Sequence, residues 1–144
     1  MSPELARTPL GEFIWRSAQR SGSGNWLVLS VPESAVSTTA ERVATGIEAL
    51  ASAPVERLHA PAGAMALAER PRDATILVVS SLEHFSDEEW RHLDLLRSSL
   101  EREGTVVLVL GHRTARSMFR SAPHLASWIG GSTWEMNAED LVEA

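Results

Sequence analysis

Three short runs, Trp26–Val31, Thr75–Ser80 and Thr105–Leu110, are almost unbroken in apolar residues and rich in Val and Leu. Each is too short for a buried helix, and continuous rather than alternating apolar character means cover on both faces. They read as central strands of a parallel sheet. Val55–His59 reads as a briefer strand and Thr133–Met136 as a short last one. Between these runs the apolar positions repeat with helical period. Phe13, Ile14 and Ala18 mark one face of a helix over Leu10–Arg20, ended by Ser21–Gly24. Val43, Ile47 and Leu50 mark a second, and Trp90, Leu93, Leu96 and Leu100 a third within Ser86–Glu103. Ala60–Arg70 predicts a short helix after Pro61, closed by Pro71, and Thr114–Trp128 a helix interrupted near Pro123 and closed by Gly130-Gly131.

Helix entry points are also legible. Thr38 followed by Glu41 has capping-box spacing and predicts Thr38 as an N-cap; Ser86 followed by Glu89 repeats the pattern. Asp87 and Glu88 add negative charge to that first turn, where the helix dipole favours it, and Gly104 is placed to end the helix. Strands alternating with helices predict an α/β fold of three layers, a mostly parallel five-stranded central sheet flanked by helices. No repeat, low-complexity tract or long linker divides the chain. Residues 1–144 read as a single domain with a core over about 10–137 and an acidic tail, Asn137–Ala144.

Composition narrows the chemistry. Apolar residues at 44% and charged residues at 22% are ordinary globular usage, so a packed core is expected. A net charge of −6 argues against general nucleic-acid binding, which depends on Lys and Arg neutralising phosphate. The absence of Cys excludes disulfides, thiolate metal sites and Cys nucleophiles. No run approaches the roughly 18 apolar residues of a membrane span, and the first residues lack a signal-type apolar core, so a cytoplasmic protein is expected.

The strand Trp26–Val31 runs through a short loop into a helix, as a phosphate-binding P-loop does. The G-x-x-x-x-G-K-[ST] frame laid on this segment puts Val31 and Val36 at the glycine positions, Ser37 at the Lys and Thr38 at the hydroxyl. Only the hydroxyl survives. Together with the helix Leu10–Arg20 and the segment Ile76–Trp90 at the Walker B position, this loop makes the chain resemble P-loop ATPases of the AAA+ and STAND type over about residues 10–137. The resemblance implies a central parallel sheet in which the first strand is flanked by the fourth and third, and places His112 near the sensor-1 position. It implies Ser80 and Ser81 where such ATPases carry the Mg²⁺-holding Asp and the water-positioning acid. A hydroxyl supplies neither ligand charge nor a base at neutral pH. With Lys, both glycines and both acids replaced, the main terms of phosphoryl transfer are absent. No catalytic residue, nucleotide, metal or other cofactor is therefore expected. The resemblance also implies assembly with other proteins, since STAND-type domains build signalling complexes and degenerate members occur in bacterial immune or conflict systems.

Other candidates are weaker. Glu83 and His84 follow the strand Thr75–Ser80 at the sheet edge where α/β folds bind ligands, and with His112 they define an alternative: a small-molecule sensor or enzyme with a strand-end pocket. A solvated loop is the simpler account of Glu83 and His84, and plain strand-end polarity that of His112 and Arg113. His84 and His92 lack the spacing of a metal site. Ser34, His84 and Asp87 supply triad residue types without a G-x-S-x-G elbow. Trp26 and Trp90 are expected in the core, whereas Trp15, Trp128 and Trp134 are less tied to the sheet pattern and are candidates for interface anchors.

The preferred expectation is a catalytically inactive, ATPase-like interaction module: an adaptor, scaffold or oligomerisation unit. Partners are another protein or further copies of the chain, not nucleic acid or membrane. A third expectation is a subunit completed by an active partner chain. The acidic tail and the helix Ser86–Glu103 are the candidate contact surfaces.

Overall fold

A computed structural model describes residues 9–19, 26–51, 54–68, 76–96, 105–129 and 132–141, apart from the side chains of Ala68 and Trp128. The elements in chain order are α1 (Pro9–Gln19), β1 (Trp26–Val31), α2 (Val36–Leu50), β2 (Val55–His59), α3 (Ala64–Ala68), β3 (Ile76–Ser80), α4 (Asp87–Leu95), β4 (Val106–Gly111), α5 (His112–Ser121), α6 (Pro123–Ile129) and β5 (Thr133–Glu135). The predicted strands and helices are all present. The signals assigned to Ser21–Gly24, Pro71, Gly104 and Gly130-Gly131, and the helix beyond Leu96, lie outside the described residues.

The sheet has five strands in the order β2-β3-β4-β1-β5, and each neighbouring pair is parallel. All residues of β1, β3 and β4 are buried, as their continuous apolar runs require. Side chains alternate between two cores. Trp26, Val28, Leu77, Val79, Val106 and Leu108 face one side, against Trp90 and Leu93 of α4, Met118 of α5 and Leu125 of α6. Leu27, Leu29, Val78, Val107 and Val109 face the other, against Phe13 of α1 and Val43 and Ile47 of α2. This is the three-layer α/β arrangement.

One expectation about the sheet is corrected. β1 lies between β4 and β5, not between the fourth and third strands; β3 sits one position further out, between β2 and β4. The reason is the crossover through α5 and α6, which carries the chain past β1 so that Val28 pairs with Thr133 and Ser30 with Glu135. A strand apolar on both faces thereby gains a ladder on both edges as well.

A second correction concerns helix entry. Thr38 is not the N-cap of α2. Pro32, with φ of −57°, leads into a 3₁₀ turn over Glu33–Ala35 that runs straight into the helix, and Ala35 takes the cap position with no side-chain acceptor. Thr38 therefore sits inside the first turn, and Glu41 reaches across to Arg57 instead of back to the helix start. At α4, by contrast, Ser86 Oγ accepts from Glu89 N at 3.2 Å, which is one half of the predicted capping box; the Glu89 carboxylate accepts from Ala64 N at 2.7 Å instead. The helix expected from Thr114 begins two residues earlier, at His112, directly from the end of β4.

α1 lies on α2 through a close approach at Gly46. A Cβ there would come within 2.7 Å of Ile14 Cγ2 and 3.0 Å of its Cδ1. Ile14 is β-branched and buried, so it cannot swing clear. Gly46→Ala gains about 1 kcal/mol of helix propensity, but overpacking costs about 1–3 kcal/mol. The expected result is a net loss of about 1 kcal/mol in urea unfolding that disappears, or reverses sign, in an Ile14→Ala background.

Candidate functional site

In open α/β sheets ligands bind beyond the carboxyl ends of the strands, where neighbouring strands send their connections to opposite faces. Here that point lies between β1 and β4. β1 leads into α2 on one face, and β4 leads into α5 on the other.

The chain itself bridges this crevice. Glu33, in the turn after β1, reaches over the end of β4, and its Oε1 accepts from Arg113 N at 2.7 Å. It lies so close to Gly111 that a Cβ there would meet Glu33 Cγ at 2.8 Å. The Arg113 backbone N–H, the strongest influence on this carboxyl, holds its pKa below the ordinary glutamate value. Beneath it, Ser30 Oγ and His112 Nδ1 share a 2.6 Å hydrogen bond, while His112 Nε2 is buried with no partner among the described residues. The N-terminus of α5 is thus occupied by the protein's own carboxylate.

The positions matched to the P-loop frame are ordinary strand and helix. Val31 is fully buried as the last residue of β1, and Val36 opens α2 with helical φ of −57°. Only Pro32 and the three-residue turn connect them. Such a connection has no wide ring of backbone amides for phosphate. Thr38 is exposed on the first turn of the helix.

The remaining matched positions meet elsewhere. Ser37 and Ser80 line one cavity of about 210 Å³ with Ala40, Glu41, Arg57 and His59, at the carboxyl ends of β2 and β3. His59 Nδ1 lies 3.1 Å from Ser81 Oγ and 3.3 Å from Ser80 Oγ. Arg57 gives this cavity no spare cation. It pairs with Glu48 at 2.8 Å and Glu41 at 2.9 Å, and Glu48 followed by Glu41 raises its pKa.

Glu83, His84 and His112 share no hydrogen bond among the described residues. Glu83 is exposed. His84 Nε2 bonds to the Pro61 carbonyl at 2.7 Å, and its ring meets Phe85 edge-on, whereas His112 turns to Ser30. No hydrogen bond joins Ser34, His84 and Asp87 among the described residues, and Asp87 accepts from Arg120. No group of three or more His, Asp or Glu placed to hold a metal occurs among the described residues. Trp26 and Trp90 are buried as expected; Trp15 is exposed, and Trp134 is half-buried edge-on to Phe13.

The sequence pattern did not single out Glu33, Ser30 or His59. Their pairings span 80, 82 and 22 positions, and no local spacing announces a contact of that range. Ser81 was picked out only as a lost acid, and its pairing is equally invisible to local spacing. No helix among the described residues is long and apolar enough to cross a membrane. No family model matches the chain, and none of the curated proteins matches its sequence.

Proposed function

We propose that this chain is a degenerate P-loop-like domain that acts through protein–protein contact and neither binds nor hydrolyses nucleotide. The observation that carries the reading is the Glu33 carboxylate seated in the crevice between β1 and β4, accepting from Arg113 N. A triphosphate brought there would meet a fixed negative charge where it needs a cation and open amides. The neutral Ser37, Ser80 and Ser81 support the same conclusion, since none supplies a cation, an anionic metal ligand or a base at neutral pH. Contact with a partner is supported by exposed apolar side chains on the α4–α5 side, with Leu95 77% and Phe119 36% exposed.

Titration with MgATP and MgGTP by calorimetry tests the reading. No heat of binding below millimolar ligand and no phosphate release are expected; micromolar binding of either would end it. Glu33→Ala should lose about 0.5 kcal/mol from the cap, a value kept low because the side chain is exposed. It should gain no nucleotide affinity, because the missing Lys and acids are not restored. The pH dependence has a definite sign. The folded pKa of Glu33 is depressed, so its contribution is present above the unfolded value and fades as pH falls through the lower folded value. The parent and Glu33→Ala should therefore converge in stability in acid. For the contact role, light scattering across a concentration series should reveal self-association weakened by Leu95→Asp, or a monomer whose partner is another chain.

A further inference from the structure

Two non-glycine residues among those described have positive φ, Ala60 at 49° and Ser81 at 63°. They follow directly on His59 and Ser80, the last residues of two paired strands. Both backbone outliers therefore bracket one side-chain cluster, and such strained positions gather where geometry serves a purpose.

The effect of the Ser81 conformation is specific. Ser80 shares its face with Val78, toward α2, and regular extended backbone would send Ser81 to the opposite face. The left-handed turn brings it back, so that both hydroxyls meet the same ring nitrogen, His59 Nδ1. Nδ1 forms one good hydrogen bond, and the shorter contact, 3.1 Å, belongs to Ser81. His59 is exposed and lines the cavity with Ser37 and Ser80, so a small molecule reaches the imidazole directly; Ser81 is 9% exposed and meets that molecule from the His59 side. A hydroxyl within hydrogen-bond reach of an imidazole, on a strained turn at a strand end, is the nucleophile–base half of an activated-serine arrangement.

We propose that Ser81 is a nucleophile with His59 as its base, taking acyl groups from small activated esters. Ser81 Oγ attacks the ester carbonyl carbon as its proton moves to His59 Nδ1. The bond from that carbon to the leaving alkoxide breaks, and Nδ1 returns the proton to it as the free alcohol. Water then attacks the acyl-serine, releasing the carboxylic acid and restoring the hydroxyl. This activity is independent of the nucleotide reading, and the calorimetric titration above does not bear on it.

The test treats the full chain with a fluorophosphonate, in which Oγ displaces fluoride from phosphorus, and locates the adduct by peptide mass spectrometry. One adduct on Ser81 is expected, together with p-nitrophenyl acetate turnover. His59→Ala should slow labelling by about 100-fold. Ser81→Gly accepts a φ of 63° without strain, so it should remain folded by its melting transition while taking no label. An unlabelled parent protein, an adduct on another residue such as Ser80, or labelling unchanged by His59→Ala would each overturn the proposal.

Discussion

Trp90→Ala should cost about 3–5 kcal/mol and leave the fold close to its limit of stability. Trp90 is fully buried on α4, with its ring 4.9 Å from that of Phe85, and the two fill the core between α4 and the sheet. Truncation opens a cavity that backbone-anchored neighbours cannot close. Trp90→Phe should be far milder, at about 1 kcal/mol. Trp90 Nε1 is buried with no acceptor among the described residues, so the smaller ring removes volume, breaks no hydrogen bond to them and relieves an unpaired donor. Urea unfolding of the three proteins measures both. A Trp90→Phe loss as large as that of alanine would mean that indole shape or a missed bond governs the site.

The second large effect belongs to Asp94. This carboxylate is 7% exposed, and its Oδ1 accepts from Leu125 N at 2.6 Å, tying the end of α4 to the first turn of α6. Asp94→Ala leaves a buried N–H without that acceptor, at about 2–3 kcal/mol. Asp94→Asn keeps an acceptor oxygen in the same place and should recover at least half of the loss. Amide exchange locates the damage. Protection should fall first at Leu125 and through α6, with β1 and β4 unchanged until global unfolding. A uniform fall across the sheet would contradict this local account.

The strands were open to inspection because burial on both faces forces continuous Val and Leu runs, as in Trp26–Val31 and Val106–Leu110. Ser86 was equally visible, because its cap is closed within three residues. Thr38 misled because the same spacing arises inside a helix once Pro32 and a 3₁₀ turn have started it earlier. The place of β5 beside β1 is decided by a crossover, which leaves no mark on local periodicity. Val31 and Val36, matched to the glycines of the P-loop frame, are ordinary strand and helix as their side chains suggest. The bridging of the crevice by Glu33 left no such mark in the sequence. It depends on Gly111 lacking a side chain and on a backbone amide eighty positions away.

Three helix starts, at Ala64, Arg113 and Leu125, take their acceptors from Glu89, Glu33 and Asp94, which lie 25, 80 and 31 residues distant. Synthetic peptides spanning these helices alone would lack those acceptors and should remain mostly coil in water. Helicity in this half of the molecule then accompanies assembly of the sheet instead of preceding it. Refolding should show one concerted gain of circular dichroism, slowed by the long-range pairing on which it waits.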